Sequence, residues 1–145
     1  MPGIVVGTDG SDDAHRALDW AMREAADRHT MLTVLAIVPA MASPWTGNPL
    51  AVPDSEHAVR HAREAAEQAV SAVAGQLGDR RPESVSVEAS VGYPAQALIE
   101  ASHDADLVVV GSRGTGGFAS LLLGSISTQV AHHAACPVVI VPTGR

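Results

Sequence analysis

Lysine is missing from these 145 residues, and all nine basic side chains are arginine. Neither a Schiff-base amine nor a phosphate-gripping lysine of the Walker kind can therefore operate here. The single cysteine, Cys136, excludes an internal disulfide and a thiolate metal cage. Aromatic residues make up only 3% of the chain. The core must then be built from Ala, Val, Leu and Ile, a composition that suits buried strands between alanine-rich helices. A formal net charge of -7 leaves no basic stripe to displace counterions from phosphates, which argues against nucleic acid. No apolar run reaches membrane-spanning length, and the start of the chain lacks the basic and long apolar stretches of a signal peptide. A cytoplasmic protein without a membrane partner is expected, with residues 1–145 forming one domain.

What is present alternates regularly. The β-branched run "GIVVGT" at 3–8 leads into "DGSDD", a turn followed by helix-capping residues. Ala14, Ala17, Leu18, Ala21 and Ala25 then recur at helical spacing, and "MLTVLAIV" at 31–38 reads as a second buried strand. Residues 39–53 hold four prolines, Gly47, Asn48 and Trp45, which predicts a loop or lid. Ser55 opens a longer helix whose inner side is predicted as Ala58, Ala62, Ala65, Ala69, Val73 and Leu77. "SVSVEASV" at 84–91 alternates as a strand with one more polar face, and a short helix follows over 95–102. "LVVVG" at 107–111 is a fully buried strand, Ser125 is expected to cap the last helix, and "PVVIVP" at 137–142 closes the chain. Five strands alternating with four helices predict an α/β fold with a parallel sheet covered on both faces.

Two strand ends carry unusual residues. One is "GTDGS" at 7–11; the other is the stretch "GSRGTGGFASLLLGSIS" at 111–127. A helix starting at Ser125 offers unpaired backbone N–H groups and partial positive charge. Gly124 lets an anion approach that end, Gly111 and Gly114 let the preceding turn aim its own N–H groups inward, and Ser125, Ser127 and Arg113 add donors. The same glycines also fit a plain tight connection between strand and helix. The Walker and G-x-G-x-x-G dinucleotide patterns both fail to match.

The spacing Gly111-x-x-Gly114, nine residues, then Gly124-Ser125 resembles the ATP-binding signature of the universal stress protein family. "IVVGTDGS" at 4–11 is similar to that family's first strand and turn, and "CPVVIVP" at 136–142 to its closing strand. The resemblance covers essentially the whole chain. It implies a Rossmann-like (adenine nucleotide alpha hydrolase-like) five-stranded parallel sheet of order 3-2-1-4-5, helices on both faces, and ATP in the crevice between the first and fourth strands. Carried over by position, Asp9 faces the adenosine part with Gly7 and Thr8 close by, and the main chain at Ile37 and Val38 bonds the adenine. Gly111, Ser112, Arg113, Gly114, Gly124, Ser125, Ile126 and Ser127 surround the phosphates, while Thr115, Gly116 and Gly117 shape the same loop. The resemblance further implies a stress-response binding module of the ATP-binding branch, not an enzyme, and a homodimer formed through the strand at 138–141. A weak ATPase or phosphoryl-transfer activity, a cyclic-nucleotide binder and a ligand-free interaction protein are the alternatives.

Smaller signals compete. Asp9, Asp12 and Asp13 could hold magnesium, but Asp12 and Asp13 equally suit a helix N-terminus. Magnesium riding on the ATP phosphates fits an acidic protein that binds a polyanion. His57, His61 and Glu64 have helical chelate spacing without a fourth ligand, and His132 and His133 suit a helix C-terminus. Cys136 reads as a small core residue, because no activating base is identifiable.

Overall fold

The computed structural model describes residues 3–42, 49–50, 55–112 and 124–142. Strand β1 (Ile4–Thr8) leads through helix α1 (Asp12–Arg28) to β2 (Met31–Pro39). Two short strands, β3 (Met41–Ala42) and β4 (Pro49–Leu50), precede α2 (Ser55–Leu77) and β5 (Ser84–Gly92). Helix α3 (Pro94–Ala101), β6 (Leu107–Gly111), α4 (Ser125–His133) and β7 (Val138–Val141) complete the order. The main sheet is five-stranded in the order β5-β2-β1-β6-β7, and the four pairings that build it are parallel. Counted along the chain, its strands lie 3-2-1-4-5, as the resemblance implies.

Local chemistry sets each boundary. Ser11 caps α1 by accepting from the Ala14 N–H at 3.2 Å, and Asp12 and Asp13 occupy the first turn, where the helix dipole favours them. His29 ends α1 in the left-handed conformation at φ 53°, and its N–H donates to Ala26 O at 3.2 Å. Gly78, at φ 63°, stops α2 in a conformation that costs a glycine little, with its N–H on Ala74 O. Pro94 opens α3, where a missing N–H is harmless.

Helices α1 and α2 cover one face of the sheet, burying Ala17, Leu18, Ala21 and Met22 against Ile4, Val6, Leu32, Val34 and Val109. Helices α3 and α4 cover the other, where Leu98 and Val130 meet Val5, Val108 and Val110. Full burial of side chains such as Leu18 and Met22 contributes about 1.5–3 kcal/mol each. Small alanines bring the helices close to the sheet, which compensates for the scarcity of aromatics.

Two expectations need correction. Ala65 is exposed and Ala66 is the buried residue of α2, flanked by Ala62, Ala69, Val70, Val73 and Ala74. Its inner stripe is thus wider than the predicted line and includes Ala66 in place of Ala65: from Ala62 the core-facing side continues by a four-residue step to Ala66 and then by three and four to Ala69 and Val70, both spacings lying on one face of a helix of 3.6 residues per turn. Within the expected loop 39–53, Met41–Ala42 pairs antiparallel with Pro49–Leu50. Proline is tolerated there because the ribbon has only two strands, both of them edges. Trp45 lies outside the described residues.

The two edges of the main sheet differ. On β5, Ser84, Ser86, Glu88 and Ser90 are exposed, and Arg63 of α2 donates from Nη1 to Val87 O at 2.8 Å. On β7 all four residues are half-buried and apolar.

Candidate functional site

Strand β1 lies between β2 and β6, and the helices that follow β1 and β6, α1 and α4, lie on opposite faces of the sheet. The crevice beyond the carboxyl ends of β1 and β6 is therefore the place where an open α/β sheet accepts a ligand. Residues of three segments border it: Gly7–Gly10 at the end of β1 and just beyond, Gly111–Ser112 at the end of β6, and Gly124–Ser127 at the start of α4.

At the β1 end, Asp9 is exposed and its Oδ1 accepts from the Ser11 N–H at 2.9 Å. This bond folds the turn that delivers Ser11 to its cap position. Gly10 makes that turn at φ 82° with open space where a Cβ would stand. The glycine at 7 has a packing reason: a Cβ there would come within 2.9 Å of Leu98 Cδ1 from α3. Ile37 and Val38 continue β2 past its last partner on β1, the pair Thr8–Ala36, while remaining paired with Ser90 and Val91 of β5. The β1-facing edge of the main chain at 37–38 thus borders the crevice.

At the β6 end, Gly111 also answers to packing. An added Cβ would lie 2.9 Å from Asp13 O and 3.0 Å from Asp13 Cβ, so glycine lets the strand end close against the first turn of α1. Ser112 is the pivot of the site. Its N–H donates to Val141 O at 2.9 Å, and its carbonyl accepts the Gly124 N–H at 2.6 Å and the Ser127 hydroxyl at 3.0 Å. Its own hydroxyl lies 3.5 Å from Asp13 Oδ2. The Asp13 side chain keeps only 12% of its exposure, and Nη1 of the exposed Arg16 stands 4.0 Å from its Oδ1.

The start of α4 differs from expectation in one respect. Gly124, not Ser125, occupies the cap position, and Ser125 is the first helical residue and exposed. Gly124 has φ −74° and ψ 170°, extended backbone open to any residue, so glycine contributes the lack of a Cβ here and not an unusual conformation. The first helical bond runs from Thr128 N to Gly124 O at 3.0 Å, which leaves the N–H groups of Ser125, Ile126 and Ser127 ahead of the intrahelical ladder. Ser127, at 2% exposure, spends its one hydroxyl proton on Ser112 O or on Gly124 O at 3.1 Å. Its side chain joins Ser112 to the start of α4. Thr128 donates in the same way to Gly124 O at 2.8 Å. Sequence reading passed over Thr128 and Asp13 as parts of this site; the i, i+4 spacing of Gly124 and Thr128 was the available sign for the first.

Arg113, Gly114, Thr115, Gly116 and Gly117 lie outside the described residues. Among the described residues no group of three or more His, Cys, Asp or Glu side chains is placed so that it could hold a metal ion. No helix among them is long and apolar enough to cross a membrane.

The family model for universal stress proteins matches residues 2–142. A universal stress protein of Mycolicibacterium smegmatis is 38% identical over 139 residues, which are 96% of this chain and 47% of the relative. The chain thus spans about half the length of the curated relatives it matches. Among solved structures, the universal stress protein UspA from Lactobacillus plantarum superposes with a TM-score of 0.77 at 25% identity, covering 97% of each chain. A universal stress protein crystallised in complex with cAMP gives a TM-score of 0.70 at 28% identity, covering 99% of this chain and 98% of its own.

Proposed function

Because the chain belongs to the universal stress protein family, to which residues 2–142 match, we propose that it is a nucleotide-responsive regulatory module that binds ATP in the β1/β6 crevice. The observation that carries this reading is the α4 start: three N–H groups, of Ser125, Ile126 and Ser127, ahead of the helical ladder, with no Cβ on Gly124 to obstruct them. An anion seated there meets both hydrogen-bond donors and the positive end of the helix dipole. The exposed Ser125 hydroxyl adds a donor, Asp9, Gly7 and Thr8 border the adenosine side, and the free edge at Ile37 and Val38 offers main-chain partners to adenine. Magnesium bound to the phosphates offsets the repulsion between a polyanion and a protein of net charge -7. The cAMP complex of a related protein supports the adenine part of this reading and also favours a cyclic nucleotide as a second one. Residues 1–145 act as one such domain, in the cytoplasm, where the nucleotide is abundant.

Rapid phosphoryl transfer does not suit the site. Such chemistry requires a positioned base and positive charge on the transition state. The half-buried carboxylate of Asp13 presents charge of the wrong sign next to the cradle. A single-turnover assay checks this point, and hydrolysis on the order of 1 per second or faster would overturn it.

The decisive test of binding is Gly124→Val. Its branched side chain is compatible with the extended backbone at this position but occupies the anion's approach. The variant should keep its circular dichroism spectrum and lose nucleotide binding by calorimetry; unchanged affinity in a folded variant removes the cradle from consideration. The same proposal includes a twofold dimer through β7, whose apolar edge is open to strand pairing. A sedimentation mass that stays monomeric at all concentrations would contradict it.

A further inference from the structure

The proposed cradle is joined to a charged group that no ligand contact requires. Asp13 sits in the first turn of α1, with its main chain against Gly111 and its carboxylate Oδ2 3.5 Å from the Ser112 hydroxyl. Ser112 in turn holds the Gly124 N–H and the Ser127 hydroxyl through its carbonyl. One residue therefore separates a largely buried negative charge from the helix start that meets the phosphates. Arg16 Nη1 stands 4.0 Å from Asp13 Oδ1 with 45% of its own side chain exposed, so solvent screens its charge more than that of Asp13.

We infer that Asp13 sets the charge class of the nucleotide, disfavouring bare triphosphate relative to a cyclic monophosphate and making triphosphate binding depend on a divalent cation. This inference rests on the nucleotide reading above and adds selectivity to it. Coulomb repulsion grows in proportion to ligand charge: about −4 for free ATP, −2 for its magnesium complex and −1 for cAMP at neutral pH. A carboxylate that is mostly covered, as Asp13 is at 12% exposure, acts through a lower effective dielectric and is less screened by salt than exposed ones. Exposed Asp12, on the same helical turn, provides the contrast. The sign does not depend on which cation shares Asp13. Removing the carboxylate either removes repulsion or releases that cation toward the phosphates, and both strengthen binding of the more highly charged ligand.

The experiment is calorimetric titration of the purified chain with ATP and with cAMP, each in EDTA and in excess magnesium, for the wild type, Asp13→Asn and Asp12→Asn. Asp13→Asn should raise affinity for ATP in EDTA about tenfold and for cAMP by less than about threefold, with magnesium narrowing the difference. Asp12→Asn should alter the ATP-to-cAMP ratio by less than about twofold. An unchanged ratio in Asp13→Asn, or an equal change in Asp12→Asn, overturns the role of Asp13 while leaving the nucleotide site standing. Failure of the wild type to bind either nucleotide overturns the site and this inference together. Should Asp13→Asn not fold, Asp13→Ser, which removes the charge and keeps a polar side chain in the first turn of α1, takes its place with the same expected and overturning outcomes.

Discussion

Glycine does two different jobs around the crevice. Gly111 and Gly7 exist to be thin, since a Cβ at either would press within 2.9 Å of Asp13 O or Leu98 Cδ1. The neighbour at Gly111 is backbone, which cannot rotate away as the tip of Leu98 can. Gly111→Ala should therefore destabilise the chain by about 1–3 kcal/mol, measured by urea unfolding. It should also weaken nucleotide binding, because the displaced strand end carries Ser112 and hence the α4 start. Sequence spacing gives Gly111 a place at the strand end and the expectation of an inward-turned anion nest; the structure adds a packing reason, the close approach to Asp13. Gly124 is expected to leave an anion's approach clear, and its φ of −74° shows that conformational freedom is not what it supplies. Spacing along the chain reveals where glycines cluster, while the surface each one approaches is a property of the folded molecule.

Helices and strands were largely readable, because period-two and period-3.6 patterns survive in a chain with so few aromatics. The β6 boundaries agree with the residues 107–111 expected from the run "LVVVG", and β1 and β2 differ by one residue at an end. Errors fell where side-chain identity says little: among the successive alanines 65 and 66 of α2, and at Gly124–Ser125, where serine's cap preference lost to a glycine whose carbonyl takes bonds from Ser127 and Thr128. A tie between elements was equally invisible. Ser102, buried just after α3, donates from its hydroxyl to Ile99 O and accepts the Ala135 N–H at 2.8 Å, binding the end of α3 to the turn before β7. Ser102→Ala leaves that N–H unpaired and should cost about 1–3 kcal/mol in urea unfolding. Amide hydrogen exchange at Ala135 should accelerate while that of β1 keeps its order; equal loss throughout the sheet would show that the tie is not local.

Taken whole, the molecule has two cores that share one sheet, so neither can dissolve without stripping a face from the same strands. A single unfolding transition is expected. Cys136 packs against the α3/α4 core, and loss of solvation holds its thiol above the ordinary value of 9.0. Folding thus favours the protonated thiol. Native chains should label slowly at pH 7–8, with reactivity increasing only above the usual thiol range, and urea should expose the thiol at the same midpoint at which circular dichroism is lost. Labelling at a clearly lower urea concentration would mean that the α3/α4 core opens on its own.

The bond from Arg63 to Val87 O has a consequence for numbers of molecules. A sheet with two receptive margins is a link that can be extended without end, whereas here one margin is occupied by a guanidinium and lined with serine and glutamate. The strand addition proposed for the opposite, apolar margin would consume that margin on both participants. On that proposal, crowding should fill a pair and then stop, because the remaining margin among the described residues is the guarded one.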